Sequence, residues 1–274
     1  LRVGRNDPSG GLFYEDLGSG VPVLLVHGFA GTARAHFGPL IDALTAEYRV
    51  IAPDLRGHGR SSGLPRRFDA AMYHTDAADL RALIDRLNPG AVHVIGYSDG
   101  GETAIILAAQ LGTQARSLTV WGVSGRVPPA EVVALYADPE RHLPQWHALR
   151  AQLDRLHGTN AALPLLRRWA AAMSELRARG GAINDDAAPA VTCPTLIVAG
   201  DRDPFNPLDA TRALADRMAH AHLVVLPGAG HDLLGERGPQ LIALVRRVLR
   251  DSDRQSAGRY QPPAPDGGIA STAC

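Results

Sequence analysis

Ser98, Asp203 and His231 are the residues whose types and settings could do chemistry together. Ser98 is the centre of Gly96-Tyr97-Ser98-Asp99-Gly100. This matches G-x-S-x-G, the sharp strand-to-helix turn that exposes a nucleophilic hydroxyl. Three fixed residues in five occur often by chance. The setting adds weight, because an apolar run precedes the turn and an alanine-rich helical pattern follows it. Gly96 and Gly100 carry no Cβ, so strand and helix can approach closely there. A serine hydroxyl is a weak nucleophile at neutral pH and needs a base, which in turn needs an orienting group. His231 follows Gly228-Ala229-Gly230, a loop flexible enough to turn an imidazole inwards. Asp203 follows another apolar run, and a carboxylate at the far ring nitrogen would fix the tautomer and stabilise the imidazolium. Asp201, two residues earlier, and Asp232, beside the histidine, are alternatives for that role. An adjacent carboxylate rarely reaches its neighbour's ring, which weakens the case for Asp232.

The elements around these residues alternate. Apolar, β-branched runs at 21–26, 48–53, 91–96, 117–122, 194–199 and 223–226 read as strands. Residues 1–20 read as a hairpin, and continuous runs such as Val21-Pro22-Val23-Leu24-Leu25-Val26 suit strands buried on both faces. Helical spacing follows at about 33–46, 73–87, 99–111, 207–219 and on to about residue 250. The rhythm breaks between 125 and 188, where three helical segments rich in Leu, Ala and Arg carry Trp146 and Trp169. The expectation is an α/β fold, a mostly parallel doubly wound sheet with an inserted helical cap. Residues 1–124 and 189–251 would form the core and 125–188 the cap, while the Pro/Gly-rich stretch 252–274 would be disordered. Ligands in such sheets bind at the carboxyl ends of the strands. His27-Gly28-Phe29, Asp54, Ser98, Asp203 and His231 all fall just past a strand, and so on one rim.

Composition narrows the function classes. With 274 residues the chain is long enough for one large α/β domain or two small ones, and 45% hydrophobic and 20% charged residues suit a soluble globular protein. The 28 acidic and 28 basic residues balance, which gives no reason to expect nucleic acid or an anionic membrane as partner. Every basic residue is arginine, so no lysine is available as a Schiff base or general base. No apolar stretch reaches the roughly 18 residues of a membrane span. No basic-then-apolar leader opens the chain, and a cytoplasmic location is the expectation. A disulfide between Cys193 and Cys274 would tie a core strand to the tail and is disfavoured.

From about residue 10 to 250 the chain resembles the α/β-hydrolase family. The resemblance rests on His27-Gly28-Phe29, Asp54-Leu55-Arg56-Gly57-His58-Gly59-Arg60-Ser61, Gly96-Tyr97-Ser98-Asp99-Gly100-Gly101, Gly200-Asp201-Arg202-Asp203-Pro204 and Gly230-His231. Within it, Gly-Tyr-Ser-Asp-Gly-Gly and the stretch from Leu166 to Ala170 look most like the biphenyl hydrolase-like and valacyclovir hydrolase branch. The resemblance favours Asp203 over Asp201 as the triad acid. It also implies an oxyanion hole from the backbone N–H groups of Phe29 and Asp99, the latter at a helix start where the dipole helps. The Asp99 side chain has two readings. It could pair with a substrate ammonium, as the likeness to α-amino-ester hydrolases implies, or it could cap the helix or meet an arginine. Haloalkane dehalogenases and epoxide hydrolases look similar but need a carboxylate at the position held by Ser98.

The remaining candidates are weaker. His27 is expected to hold the loop bearing Phe29, and Asp54, Arg56 and His58 to form a hydrogen-bonded scaffold. Trp146 and Trp169 could line the pocket from the cap, although a cap helix also uses tryptophan to pack. His36, His142, His147, His157, His220 and His222 show no ligand spacing with cysteine or carboxylate, so no metal is expected. Neither nucleotide-binding glycine signature is present, so no cofactor is expected. The sequence reads as a serine hydrolase of a small carboxylic ester, thioester or lactone. The rivals are a perhydrolase, lyase or biosynthetic tailoring enzyme with the same triad, and a non-catalytic ligand-binding relative. The oligomeric state is not legible.

Overall fold

Side chains of the central strands alternate between two apolar cores, one on each face of a single sheet. Val23 and Leu25 point to one core, Leu24 and Val26 to the other, as the two-residue period of a strand requires. The computed structural model describes residues 2–5 and 11–258. Its strands are β1 (Arg2–Arg5), β2 (Tyr14–Leu17), β3 (Val21–Val26), β4 (Tyr48–Pro53), β5 (Val92–Tyr97), β6 (Ala115–Trp121), β7 (Thr195–Gly200) and β8 (Ala221–Leu226). Their spatial order is β1-β2-β4-β3-β5-β6-β7-β8. Strands β3 to β8 pair in parallel, while β1 and β2 form an antiparallel edge.

Helices cover both faces, which is why the central strands are apolar throughout. α1 (Ala33–Leu44) and α9 (Leu233–Gly258) bury Phe37, Leu40, Leu241 and Val245 on one side. α2 (Met72–Leu87), α3 (Asp99–Leu111) and α8 (Leu208–Asp216) bury Leu80, Ile84, Ile105 and Leu214 on the other. The Thr32 hydroxyl accepts from the Ala35 N–H at the start of α1. Asn88, in the left-handed conformation at φ 41°, ends α2. The chain leaves β3 for β4 on one side and then crosses to β5 on the other. The loops after β3 and β5 therefore diverge and open a crevice at the strands' carboxyl ends. The first carries Phe29 and the second Ser98.

Between β6 and β7 the chain forms α4 (Ala130–Ala137), α5 (Pro139–His142), α6 (Trp146–His157) and α7 (Ala162–Ala178). A short antiparallel bridge, Arg126 to Ala182, closes the base of this insertion. The Ile183 N–H donates to the Gly125 carbonyl and the Val127 N–H to the Gly181 carbonyl. Trp146, Leu153, Ala162 and Leu166 form a small cluster within the insertion. Trp169, Met173 and Leu176 of α7 join the core.

One boundary needs correction. The last helix does not stop near residue 250 but continues to Gly258, kinked at Arg237 ahead of Gly238-Pro239. Ser252 is buried. The Asp253 carboxylate lies 3.1 Å from His93 Nε2 and accepts from Arg116 at 3.1 Å and the Tyr48 hydroxyl at 3.3 Å. Polar partners under the sheet hold this last stretch, and a reading of apolar periodicity does not detect them. The rest of the expected tail, with Cys274, lies outside the described residues. Cys193 is a buried free thiol.

Candidate active site

Ser98 sits at φ 56°, ψ −130°, a strained conformation for a residue with a side chain, between β5 and α3. Neighbouring bonds hold it there. The Ser98 N–H donates to the Trp121 carbonyl, and the Ser98 carbonyl accepts from the N–H groups of Gly101 and Glu102. The flanking glycines are needed for close approach. A Cβ on Gly100 would lie 2.2 Å from the Val26 and His27 carbonyl oxygens, and one on Gly96 would lie 2.7 Å from the Ala104 methyl group.

His231 Nε2 is 3.0 Å from Ser98 Oγ, and His231 Nδ1 is 2.8 Å from Asp203 Oδ2. These distances suit a neutral imidazole that accepts from the serine and donates to the aspartate. Asp203 is buried, and burial alone would push its pKa up. The hydrogen bond and charge of His231, followed by bonds from Asn206 and the Phe205 N–H, outweigh it and hold the carboxyl below the usual range. Asn206 donates to Asp203 Oδ2 at 3.1 Å, and its own N–H donates to Oδ1 at 3.2 Å. Sequence reasoning missed Asn206. The available signal was Asp203-Pro204-Phe205-Asn206, in which an aspartate can accept from N–H groups two and three residues on. Asp201 instead accepts from the Gly228 N–H, and Asp232 from the Gly235 N–H, so neither touches the imidazole.

The loop after β3 lies against the nucleophile, and a Cβ on Gly28 would come within 2.9 Å of Ser98 Cβ. His27 and His36 brace this loop. His27 Nδ1 donates to the Gly28 carbonyl and Nε2 accepts from the Leu55 N–H. His36 Nδ1 accepts from the Gly28 N–H. Burial lowers the pKa of both rings to about 3, so both are neutral braces. His157, at the end of α6, donates to the Ala30 carbonyl and accepts from the Gly59 N–H. It ties the insertion to the loop that carries Phe29, a contact between sequence-distant residues. Asp54 accepts from the N–H groups of Ala33 and Arg60, Arg56 pairs with Asp79, and His58 lies against the Arg56 carbonyl.

A cavity of about 240 Å³ opens above Ser98 and His231, under the insertion. Phe29 and Trp169 line it as a stacked pair with ring centroids 4.9 Å apart, and Tyr136 and Phe205 add apolar wall. Trp146 is not among the residues that line it; Trp146 belongs to the insertion's own cluster. Asp99 does line it. Its carboxylate neither meets an arginine nor caps the helix, but accepts from Trp169 Nε1 at 2.7 Å and the Tyr73 hydroxyl at 3.0 Å. Burial raises its pKa against these two bonds. Glu102, one turn further along α3, also reaches the cavity. Burial lifts its pKa to about 7. Sequence reasoning passed over Tyr73 and Glu102, since both sit inside helical patterns where nothing marks the buried face as functional. Among the described residues no group of three or more His, Cys, Asp or Glu is placed to hold a metal, and no helix is long and apolar enough to cross a membrane.

An elbow serine, an adjacent imidazole and a buried acid at the carboxyl edge of a parallel sheet define a hydrolase-type site on an α/β scaffold. Residues 23–244 match the Alpha/beta hydrolase family, and the chain belongs to it. It is 30% identical over 226 residues to a mouse protein named serine hydrolase BPHL, covering 81% of this chain and 77% of that one. It is 27% identical over 252 residues to a non-heme haloperoxidase of Rhodococcus erythropolis, covering 81% and 89%. Its fold is similar to that of a thermophilic esterase from Thermogutta terrifontis at a TM-score of 0.69 and 27% identity, covering 92% of this chain and 98% of that one. The protein is an enzyme of the α/β-hydrolase superfamily with serine hydrolase relatives.

Proposed function

We propose that this protein hydrolyses a small carboxylic ester, thioester or lactone through an acyl-enzyme on Ser98. The observation that carries the reading is the relay from Ser98 through His231 to Asp203, at 3.0 and 2.8 Å, on the floor of the one cavity described above. Ser98 Oγ attacks the carbonyl carbon as His231 Nε2 takes its proton. The carbonyl oxygen becomes an oxyanion facing the N–H groups of Phe29 and Asp99, and each such donor is typically worth about 10²–10³ in rate. The intermediate collapses as its C–O or C–S bond breaks, and the leaving oxygen or sulfur takes the proton from His231; an alcohol or thiol departs, whereas a lactone's new hydroxyl stays on the acyl chain. Water then gives a proton to the same imidazole and its oxygen to the acyl carbon; the bond to Ser98 Oγ breaks as the imidazole returns the proton to it, which releases the acid and restores Ser98.

Asp99 gives the acyl pocket a carboxylate. An ammonium in the cavity would meet that carboxylate beside the Phe29 and Trp169 rings and would favour its ionised form. This supports a preference for acyl groups that carry an amine. A second outcome of the same triad is attack by hydrogen peroxide in place of water, and the haloperoxidase-named relative supports testing it.

The test is hydrolysis of p-nitrophenyl acetate and labelling by a fluorophosphonate. Wild-type protein should turn over the ester and take one label on Ser98, while Ser98→Ala should do neither. Full activity in Ser98→Ala sinks the reading. Product analysis with and without peroxide separates hydrolase from perhydrolase.

A further inference from the structure

Glu102 lies outside the relay yet is 3% exposed and engaged on both oxygens. Oε1 accepts from the N–H groups of Ser124 and Gly125, at 3.0 and 2.9 Å. Oε2 accepts from Asn184 Nδ2 at 2.5 Å. Ser124 and Gly125 lead into the helical insertion, and Asn184 follows it, just past the bridge of Arg126 to Ala182. One carboxyl group thus touches both strands of the hinge. The same hinge segment starts at Gly122, where φ is +64° and a Cβ would lie 2.9 Å from His231 Cε1. The N–H of Glu102 in turn donates to the Ser98 carbonyl. Glu102 thus joins both ends of the insertion to the nucleophile's backbone, and one of those ends begins at the glycine packed against His231.

We propose that Glu102 is a positioning residue: its carboxyl clamps the two hinge strands of the insertion to the nucleophile's helix, and so keeps the cavity roof and the His231 imidazole in register with Ser98. The proposal rests on the hydrolase reading for its kinetic consequence but not for its structural one. The charged and titratable groups around Glu102 are Asp99 on α3, Tyr73 on α2, Arg217 beyond α8, and Arg126 and Asp185 of the hinge. The buried Asn184 Oδ1 has no hydrogen-bond partner among the described residues. A neutral amide at position 102 could use it. Its oxygen would still accept from Ser124 and Gly125, and its NH₂ would donate to Asn184 once that amide turns over.

The experiment compares wild type, Glu102→Gln, Glu102→Leu and Asn184→Ala in p-nitrophenyl butyrate hydrolysis and in amide hydrogen exchange. Glu102→Leu leaves two buried N–H groups without an acceptor, and misplacement at the site should lower kcat by about 100-fold with KM changed less than about threefold. Glu102→Gln should restore kcat to within about fivefold of wild type, the rescue a mere volume effect would not give. Asn184→Ala attacks the clamp from the other side and should lower kcat by about tenfold, which decides the proposal even where Glu102→Leu does not fold. Exchange at Ser124 and Gly125 should accelerate in Glu102→Leu and not in Glu102→Gln. Wild-type kinetics in Glu102→Leu or Asn184→Ala, or unchanged exchange at Ser124 and Gly125, overturns the clamp. Should wild-type protein resist the fluorophosphonate, the hydrolase reading fails, and the exchange arm alone decides the clamp.

Discussion

Two buried carboxylate regions flank the nucleophile, and they are tuned in opposite directions. In the loop after β7, Asp203 is held below the usual carboxylate range, because His231, Asn206 and the Phe205 N–H outweigh its burial. On the first turns of α3, Asp99 and Glu102 are held above it, because burial outweighs their hydrogen bonds, with the charge of Asp99 adding to the rise at Glu102 and that of Asp76 to the rise at Asp99. Burial alone does not decide the state of an acid; the donors and charges around it do. The first arrangement favours the anion beside the imidazole that, in the proposed mechanism, becomes cationic. The second keeps carboxyls that ionise reluctantly, both reaching the cavity and one of them also holding the base of the insertion.

The largest test of this contrast is Asp203→Asn. It keeps the shape but removes the anion, and kcat should fall by about 10⁴, measured by steady-state ester hydrolysis. A loss under about tenfold would equate the two regions. Next is Asp99→Asn. Rates for acyl esters without an amine should change less than about threefold, while α-amino esters should lose about 10–100-fold in kcat/KM, as expected when a charge-assisted contact goes. Equal losses on both ester series would remove Asp99 as an ammonium site.

The smallest effect concerns stability. The Glu102 pKa is raised from 4.5 to about 7 in the folded protein. Its contribution to stability is therefore fully present below about pH 4.5 and lost as pH rises through about 7. Asp203 has the opposite sign: its contribution is present above the unfolded value of 3.8 and lost as pH falls through the lower folded value. Relative to Glu102→Gln, wild type should therefore lose about 5 °C in Tm between about pH 5 and about pH 8, and Asp203→Asn should not alter that trend. A constant difference in Tm across that range contradicts the assignment for Glu102.

Ser98 and His231 were legible in the sequence because each follows an apolar strand run and sits in a marked turn, while the choice of Asp203 over Asp201 in the same loop rested on the family resemblance. Gly96-Tyr97-Ser98-Asp99-Gly100, Gly200-Asp201-Arg202-Asp203 and Gly230-His231 are all local patterns, and strand alternation predicts the rim they share. The two α3 carboxylates differ in this respect. Asp99 was conspicuous only as the nucleophile's neighbour, and its partners Tyr73 and Trp169 come from 26 and 70 residues away. Glu102 is spaced like an ordinary helix residue, and its partner Asn184 is 82 residues away. Trp146 and Trp169 were indistinguishable as sequence, since tryptophan serves equally for packing and lining; only the placement of α6 and α7 separates them. The end of α9 escaped for the same reason as Glu102: polar partners such as His93 and Arg116 leave no apolar period to count.

The central claim is that Ser98 forms a covalent acyl intermediate. Rapid-quench mass spectrometry during turnover of p-nitrophenyl acetate tests it most directly. The account predicts a transient gain of one acetyl group on the peptide that contains Ser98, matched by a burst of about one p-nitrophenol per protein chain. Turnover with no acyl adduct on that peptide, or an adduct on another residue, would contradict it.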